Sequence, residues 1–353
     1  MKLTKYLLSA ALIGKCMAAQ AQMTSYKVIS DAPNDYKKTA VYVDVFTADT
    51  YLNPNLGSAL KVETALGRNI MPWLQVKYSW ADASTKHVVT DFPKAPGGLK
   101  KQLVIDAGSV YFLANRNKKK RIKVVLSATS FGGYSYTRYM MVPGTVKRMF
   151  GVEGGLYYNR RCLQFGDQGP KSYHYQNATG YDQPIGLPGT VPVAQQPSGS
   201  AQEPLAMTHI FSIYGGLHYR KVRNLEINAD GYGHKSNATV IDMYADIMLA
   251  PYITISDVVD VAGKEWKIVS QSGAIRHLGW KAGMTYHGAK KASLEYNFEF
   301  GRKPAPILAS DFFGGGSYIA MGMGFSLGFD KQLAMKEHTK KEKTVPDERT
   351  QKD

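Results

Sequence analysis

The sequence predicts an all-β chain folded as an antiparallel transmembrane β-barrel of about 14 strands, with 12 as the alternative. Three observations predict it. Apolar and polar residues alternate with period two in segment after segment, and helical spacing fits none of these segments. The alternating runs are about 9 to 12 residues long, which suits a tilted spanning strand and exceeds an ordinary soluble strand. Aromatic residues gather near the ends of the runs, at Trp80, Tyr111, Phe112, Tyr157, Tyr158, Tyr219, Tyr286 and Phe329, where interfacial girdles place them.

The chain begins with a basic stretch, Met1 to Lys5, and a short apolar run, Tyr6 to Gly14. A small-x-small site follows at Ala19-Gln20-Ala21. Residues 1–21 therefore read as a secretory signal, too short to span a bilayer as a helix. Cys16 raises lipid modification as a rival, but Lys15 stands where a small residue is expected. With the leader removed, Cys162 is the one remaining cysteine, so no internal disulfide framework is expected.

Residues 22–39 form an N-terminal segment, and the barrel is expected over 40–330. Ala40 to Tyr51 is the weakest of the strand patterns. In the next, Leu74, Val76, Tyr78 and Trp80 alternate with Gln75, Lys77 and Ser79. Phe211, Ile213, Leu217 and Tyr219 alternate with Ser212, Tyr214, His218 and Arg220. Ile241, Met243, Ala245, Ile247 and Leu249 alternate with Asp242, Tyr244 and Asp246. Trp280, Ala282, Met284 and Tyr286 alternate with Lys281, Thr285 and His287. Leu294, Tyr296, Phe298 and Phe300 alternate with Ser293, Glu295, Asn297 and Glu299.

Short connections are expected at 67–72, Asn115 to Lys120, Val142-Pro143-Gly144, Lys221 to Asn224 and 288–291. Long ones are expected at 82–101, 159–207 and 302–316. Keeping the short set on one side and the long set on the other requires two additions. One is a hairpin near Gly132-Gly133, and the other is a further strand within 252–271. These raise the count from 12 to about 14.

Near the end, Gly324-Phe325-Ser326-Leu327-Gly328 spells G-x-S-x-G, the nucleophile elbow of serine hydrolases. That elbow needs a strand, a sharp turn and a helix. Here Ile319, Met321, Met323, Phe325, Leu327 and Phe329 lie on one face of a continuing strand. Tyr318, Ala320, Gly322, Gly324, Ser326 and Gly328 lie on the other. The match is a coincidence of a glycine-rich inner face.

The leader and a last strand ending in Gly328-Phe329 make the chain resemble the outer-membrane β-barrels of Gram-negative bacteria. The resemblance is one of pattern over about residues 40–330, with no aligned motif. It implies export to the outer membrane, short periplasmic turns, long extracellular loops and contact with outer-membrane lipid. The chain departs from the pattern by running on past Phe329, through a Lys- and Glu-rich tail at 331–353 expected to be mobile in the periplasm.

The net charge is +16; less the three lysines Lys2, Lys5 and Lys15 of the leader, +13 remains. An exported protein meets no nucleic acid, so anionic envelope polymers, lipid head groups or an envelope protein complex are the partners that charge suggests. No cofactor is expected, and the histidines show no metal-ligand spacing.

If the registers hold, Lys61, Glu63, Lys77, Glu153, His218, Arg220, Glu226, Asp230, Asp242, Asp246, Lys281, Glu295 and Glu299 face the lumen. They would either line a selective pore or pair with one another in a filled interior, and the abundance of both signs leans toward the filled interior. His218 and His287 are candidate general bases beside a lumen carboxylate, without a serine–histidine–acid spacing to support them. Tyr173, His174, Tyr175 and Tyr181, in the longest connection, are candidate ligand contacts.

The first functional expectation is porin-like or gated passage of small solutes. The alternative is a non-conducting anchor or accessory barrel of an envelope or protein-secretion complex. A barrel enzyme and a soluble exported β-sandwich are further alternatives.

Overall fold

The computed structural model describes residues 25–34, 38–51, 55–67, 69–82, 102–131, 134–164, 173–176, 182–184, 205–259, 265–271, 275–289, 292–306 and 316–329. The expected leader and the charged tail lie outside them. In chain order the strands are β1 (Tyr26–Asp31), β2 (Thr39–Asp49), β3 (Asn55–Thr64), β4 (Ile70–Asp82), β5 (Leu103–Phe131) and β6 (Tyr134–Gln164). Then come β7 (Tyr173–Gln176), β8 (Asp182–Pro184), β9 (Leu205–Ala229), β10 (Gly233–Val259), β11 (Glu265–Gln271) and β12 (Ile275–Arg276). The last are β13 (Leu278–Gly288), β14 (Ala292–Arg302), β15 (Ala305–Pro306) and β16 (Ser317–Phe329).

Ten of these close into an antiparallel ring, in the order β2, β3, β4, β5, β6, β9, β10, β13, β14 and β16. Strand β16 closes the ring on β2, with Leu327 opposite Val41 and Phe329 opposite Thr39. Closure removes every open edge from the wall. The wall strands β13 and β14 have 11 residues each. At roughly 3.3 Å per residue and a tilt near 40°, they stand roughly 28 Å tall, the height of a bilayer's hydrocarbon core.

The ring has ten strands where the sequence predicts about 14. Strand β5 runs 29 residues and β6 runs 31, more than twice a spanning length. Strands β5 and β6 pair down to Phe131 opposite Tyr134, so the arms of the expected hairpin are continuations of β5 and β6 below the wall, not extra spans; Gly132 and Gly133 lie outside the described residues. Tyr252 to Val259 likewise continues β10. The three expected turns at Asn115–Lys120, Val142–Gly144 and Lys221–Asn224 all lie inside strands. They share one level, where the wall ends. There β6 parts from β9, Pro143 falls on the edge so exposed, and β1 takes β6's place against β9, with Val28 opposite Ile227. Asp31 receives the Thr145 N–H at 2.8 Å, and the Asn224 amide donates to the Ala32 carbonyl at 3.2 Å. The N-terminal segment thus supplies a strand to the sheet.

Below that level the buried face changes over. In the wall part of β6 the odd positions Met149, Glu153 and Tyr157 are buried; further down the even positions Val142 and Val146 are. In β9 burial passes from His218, Arg220 and Val222 to Leu225, Ile227 and Ala229. The face that looks outward in the wall therefore becomes the core face of the extension. Ile122, Val124, Leu126, Val142, Val146, Leu225, Ile227 and Ala229 form one apolar cluster, with Met140 and Tyr232 against it. Strands β5 and β10 are not neighbours in the ring, yet the Asn237 amide donates to the Lys123 carbonyl at 2.7 Å, and Arg138 donates to the Tyr232 hydroxyl at 3.0 Å. The two long hairpins fold their outward faces together and bury a small core of their own.

At the opposite end, β12 pairs with β15. Lys303, Ala305 and neighbouring residues of this link are buried, and the Tyr51 hydroxyl donates to the Pro304 carbonyl. This segment turns in over the mouth of the ring.

Candidate functional site

The wall has two chemically opposite faces. Outside, large apolar side chains stand exposed on strand after strand: Leu74, Val76, Val152, Leu156, Leu217 (52%), Ile247 (70%), Met284, Leu294, Phe298, Met321 and Phe325. Tyr78, Trp80, Tyr111, Trp280, Tyr286, Tyr296 and Phe329 belong to the same face. A water-soluble monomer rarely exposes a contiguous apolar patch beyond about 600 Å², whereas this face continues around the ring. Lipid is the solvent that it fits. No described helix is long and apolar enough to cross a membrane; strands do the crossing.

Inside, charged and phenolic side chains meet across the lumen. Arg220 on β9 reaches Glu63 on β3, four places away around the ring of ten, at 2.8 Å. The same guanidinium grips Asp242 through both oxygens, with Nη2 at 2.9 Å from Oδ2. The Tyr42 hydroxyl donates to Glu63, and Lys61 lies 3.5 Å from the same carboxylate. His218 joins Glu153 at 2.7 Å and Asp242 at 3.1 Å, one through each ring nitrogen. His287 approaches Asp242 at 3.8 Å.

A second bridge crosses nearer the loop end. Lys281 on β13 meets Asp106 on β5 at 3.2 Å, again four places around the ring, and Asp246 at 3.6 Å. Tyr214 donates to Asp106 from the next strand but one, and its ring lies 3.7 Å from the Lys281 ammonium. Above this, Glu299 accepts from Tyr244 and Tyr318 and pairs with Lys303 at 3.1 Å. Lys303 sits over the Tyr318 ring at 3.9 Å and the Tyr157 ring at 5.1 Å.

Glycines make room for these groups. A Cβ at Gly283 would overlap the Tyr244 ring, and one at Gly155 would overlap Tyr214. What remains open between the bridges is a cavity of about 70 Å³, lined by Lys61, Lys77, Glu153, Lys281, Glu295 and their neighbours. That space holds roughly five waters.

The structure turns Lys61, Glu63, Lys77, Glu153, His218, Arg220, Asp242, Asp246, Lys281, Glu295 and Glu299 to the inside. Glu226 and Asp230 are not there: Glu226 lies in the extension, 3.5 Å from His234, and Asp230 is exposed in the turn between β9 and β10. At that point β9 has already left the wall and its buried face has changed over to Leu225, Ile227 and Ala229. Tyr173, His174 and Tyr175 fall in β7, which pairs with β11; Tyr181 lies outside the described residues.

His218 has both nitrogens engaged and is 6% exposed, so it offers no base to a substrate. Ser326 is buried and bonds the Ser293 hydroxyl at 2.7 Å, in a strand that runs straight through the G-x-S-x-G match. Among the described residues no cluster has the makings of a metal site. Sequence reasoning missed Tyr42, Asp106, Tyr214, Tyr244, Tyr318 and Lys303. Tyr214 and Tyr244 already stand on the polar side of the alternation, which was their signal; Lys303 falls in an expected loop and had none.

A closed antiparallel ring with a lipid-compatible exterior and a polar interior is the fold of outer-membrane-type β-barrels. Solved structures that it resembles include the NanC porin, at 6% identity and a TM-score of 0.28, covering 82% of this chain and 100% of that one. A FadL homologue of Pseudomonas aeruginosa aligns at 9% identity and a TM-score of 0.19, over 83% and 89% of the two chains. OmpT of Vibrio cholerae aligns at 8% and 0.17, over 86% and 100%. Likeness at this level carries nothing about function. No family model and no curated protein matches the chain.

Proposed function

We propose that the protein is a non-conducting barrel of the outer membrane that anchors an envelope protein assembly through the sheet below its wall. The observation that carries this reading is the pair of cross-lumen bridges, Arg220 to Glu63 and Lys281 to Asp106. Each ties strands four places apart in a ring of ten, so the bore is filled by its own side chains. Long strands that continue beyond the wall and fold into a second apolar core are superfluous for a pore and useful for a dock. By the rule that barrel turns face the periplasm, the extension stands in the periplasm.

Gated passage of small solutes is the second reading. It is favoured by one feature: the plug consists of wall side chains, so rotation of Arg220 and Lys281 would open the bore without moving a domain.

Planar-bilayer recording on the purified protein separates the two. The non-conducting reading expects no steady current steps across the accessible voltage range. Reproducible ohmic steps from the wild-type chain would refute it and establish the second.

A further inference from the structure

At the turn end of the wall, cations stand in cross-strand rows on the outward face. Arg116 on β5 is opposite Arg148 on β6, which is opposite Lys221 on β9. One row lower, Lys118 is opposite Val146, which is opposite Arg223. Immediately above them, Phe150 and Tyr219 form a row of the lipid-facing wall. Followed around the ring, the Lys221 row passes through Ile241 to Tyr286, and the Arg223 row through Thr239 to Gly288, the last residue of β13. The cations therefore sit at the height where the ordinary wall ends, which is the height of the lipid head groups.

Among the described residues none of the five forms an ion pair with a carboxylate, and the Nε atoms of Arg148 and Arg223 are buried without a hydrogen-bond partner. Like charges directly opposite on neighbouring strands destabilise a sheet. Just beneath the rows Gly144 lies against Ile122 and Leu225 of the extension's apolar cluster. The rows thus stand where the wall meets the extension. Guanidinium groups there suit a phosphate diester, which they bind through paired N–H groups.

We infer that Arg116, Arg148, Lys221, Lys118 and Arg223 form a binding site for the phosphate of an acidic phospholipid in the leaflet at the turn end of the barrel. The site is the outward face where β5, β6 and β9 leave the wall. It rests on the wall being lipid-facing and is independent of whether the lumen conducts. An acidic protein segment would need cations facing away from the bilayer, whereas these continue the lipid-facing rows.

The test reconstitutes the full chain into nanodiscs made from equal parts phosphatidylglycerol and phosphatidylcholine and measures the lipids retained after detergent exchange. Wild type should retain phosphatidylglycerol preferentially. The variant Arg148→Gln/Lys221→Gln/Arg223→Gln should lose that preference by about fivefold or more, the factor one juxtamembrane cation supplies. The heat-dependent gel shift of a closed barrel shows that this variant still folds. Arg148→Lys/Arg223→Lys, which keeps charge and loses the paired N–H geometry, should fall between the two.

A matched control, Lys27→Gln/Lys38→Gln/Lys235→Gln, removes three cations at the same end and should leave the preference intact. Equal loss in the control would reduce the effect to net charge and overturn the site. So would a wild type without preference, or displacement of the lipid by a soluble poly-glutamate at low stoichiometry, which would reassign the cation rows to an acidic protein. If inorganic phosphate alone at millimolar concentration removes the lipid, the rows are a free-anion site and the lipid assignment fails.

Discussion

Removing the Arg220 guanidinium tests the plug directly. Arg220→Met keeps an apolar stem and deletes the guanidinium that lies between Glu63 and Asp242 and against the Met71 sulfur. Breaking a buried pair from one side costs about 3–5 kcal/mol, because a buried charge loses its partner. Here neither carboxylate is wholly stranded. Glu63 keeps Tyr42 and Lys61, and Asp242 keeps His218 at 3.1 Å and His287 at 3.8 Å. The loss should therefore fall at the low end, about 3 kcal/mol. Adding Glu63→Gln and Asp242→Asn removes the stranded charges as well and should recover about 2 kcal/mol, since replacing a whole buried network is often close to neutral. The assay is urea-induced unfolding from lipid vesicles, followed by tryptophan fluorescence and by the unheated gel band. A loss below about 1 kcal/mol in Arg220→Met would show that the lumen is wet enough to solvate both acids. A triple variant no better than the single would show that Arg220 acts by filling space and not by charge.

The other expectations concern the wall and the extension. Leu217→Arg places a charge on the lipid-facing side of β9 and should cost about 2–4 kcal/mol in vesicles; a change within experimental error would deny that face to lipid. Ile227→Ala opens a cavity in the core of the extension and should cost about 2–4 kcal/mol locally, seen as faster proteolysis of the long hairpins with the heat-dependent band shift unchanged. Arg220 and Ile227 are seven residues apart on β9, roughly 23 Å, and share no partner, so Arg220→Met and Ile227→Ala should add to within about 0.5 kcal/mol. A larger coupling would mean that strain passes along the strand between plug and dock.

The wall was legible because its two faces meet different solvents. Leu294 to Phe300 alternate with Ser293 to Glu299, the pattern of a strand with one apolar and one polar side, and β14 carries that register. The ends of the long strands were not legible. Asn115 to Lys120 is polar on both faces and exposed on both, which in a one-dimensional pattern looks the same as a turn. Val142-Pro143-Gly144 has turn residues, yet Pro143 needs only a free edge, and β6 gains one when β9 exchanges it for β1. The change of buried face between Val146 and Lys147, and again between Asn224 and Leu225, breaks the period-two pattern at the same height and reads as a new strand. Partner choice across the lumen was also out of reach. Arg220 and Glu63 are 157 residues apart, and which inward side chain opposes which depends on the tilt and stagger of the closed ring.

The strand count is where this matters for function. Barrel diameter grows roughly linearly with the number of strands, so a ring of fourteen would be about 1.4 times as wide as a ring of ten. In the wider ring Arg220 and Lys281 would stop short of Glu63 and Asp106, and the same charged residues would line an open bore with solvated, unpaired heads. In the ring of ten they meet and close it. The residues that a pore reading and a plug reading invoke are identical, and the difference between them is made at Asn115–Lys120, Val142–Gly144 and Lys221–Asn224. There the chain leaves the wall as an extended strand where a turn would have sent it back through the membrane. The length gained below the wall and the width lost within it are one event, so the extension and the side-chain bridges across the lumen come from the same property of β5, β6 and β9.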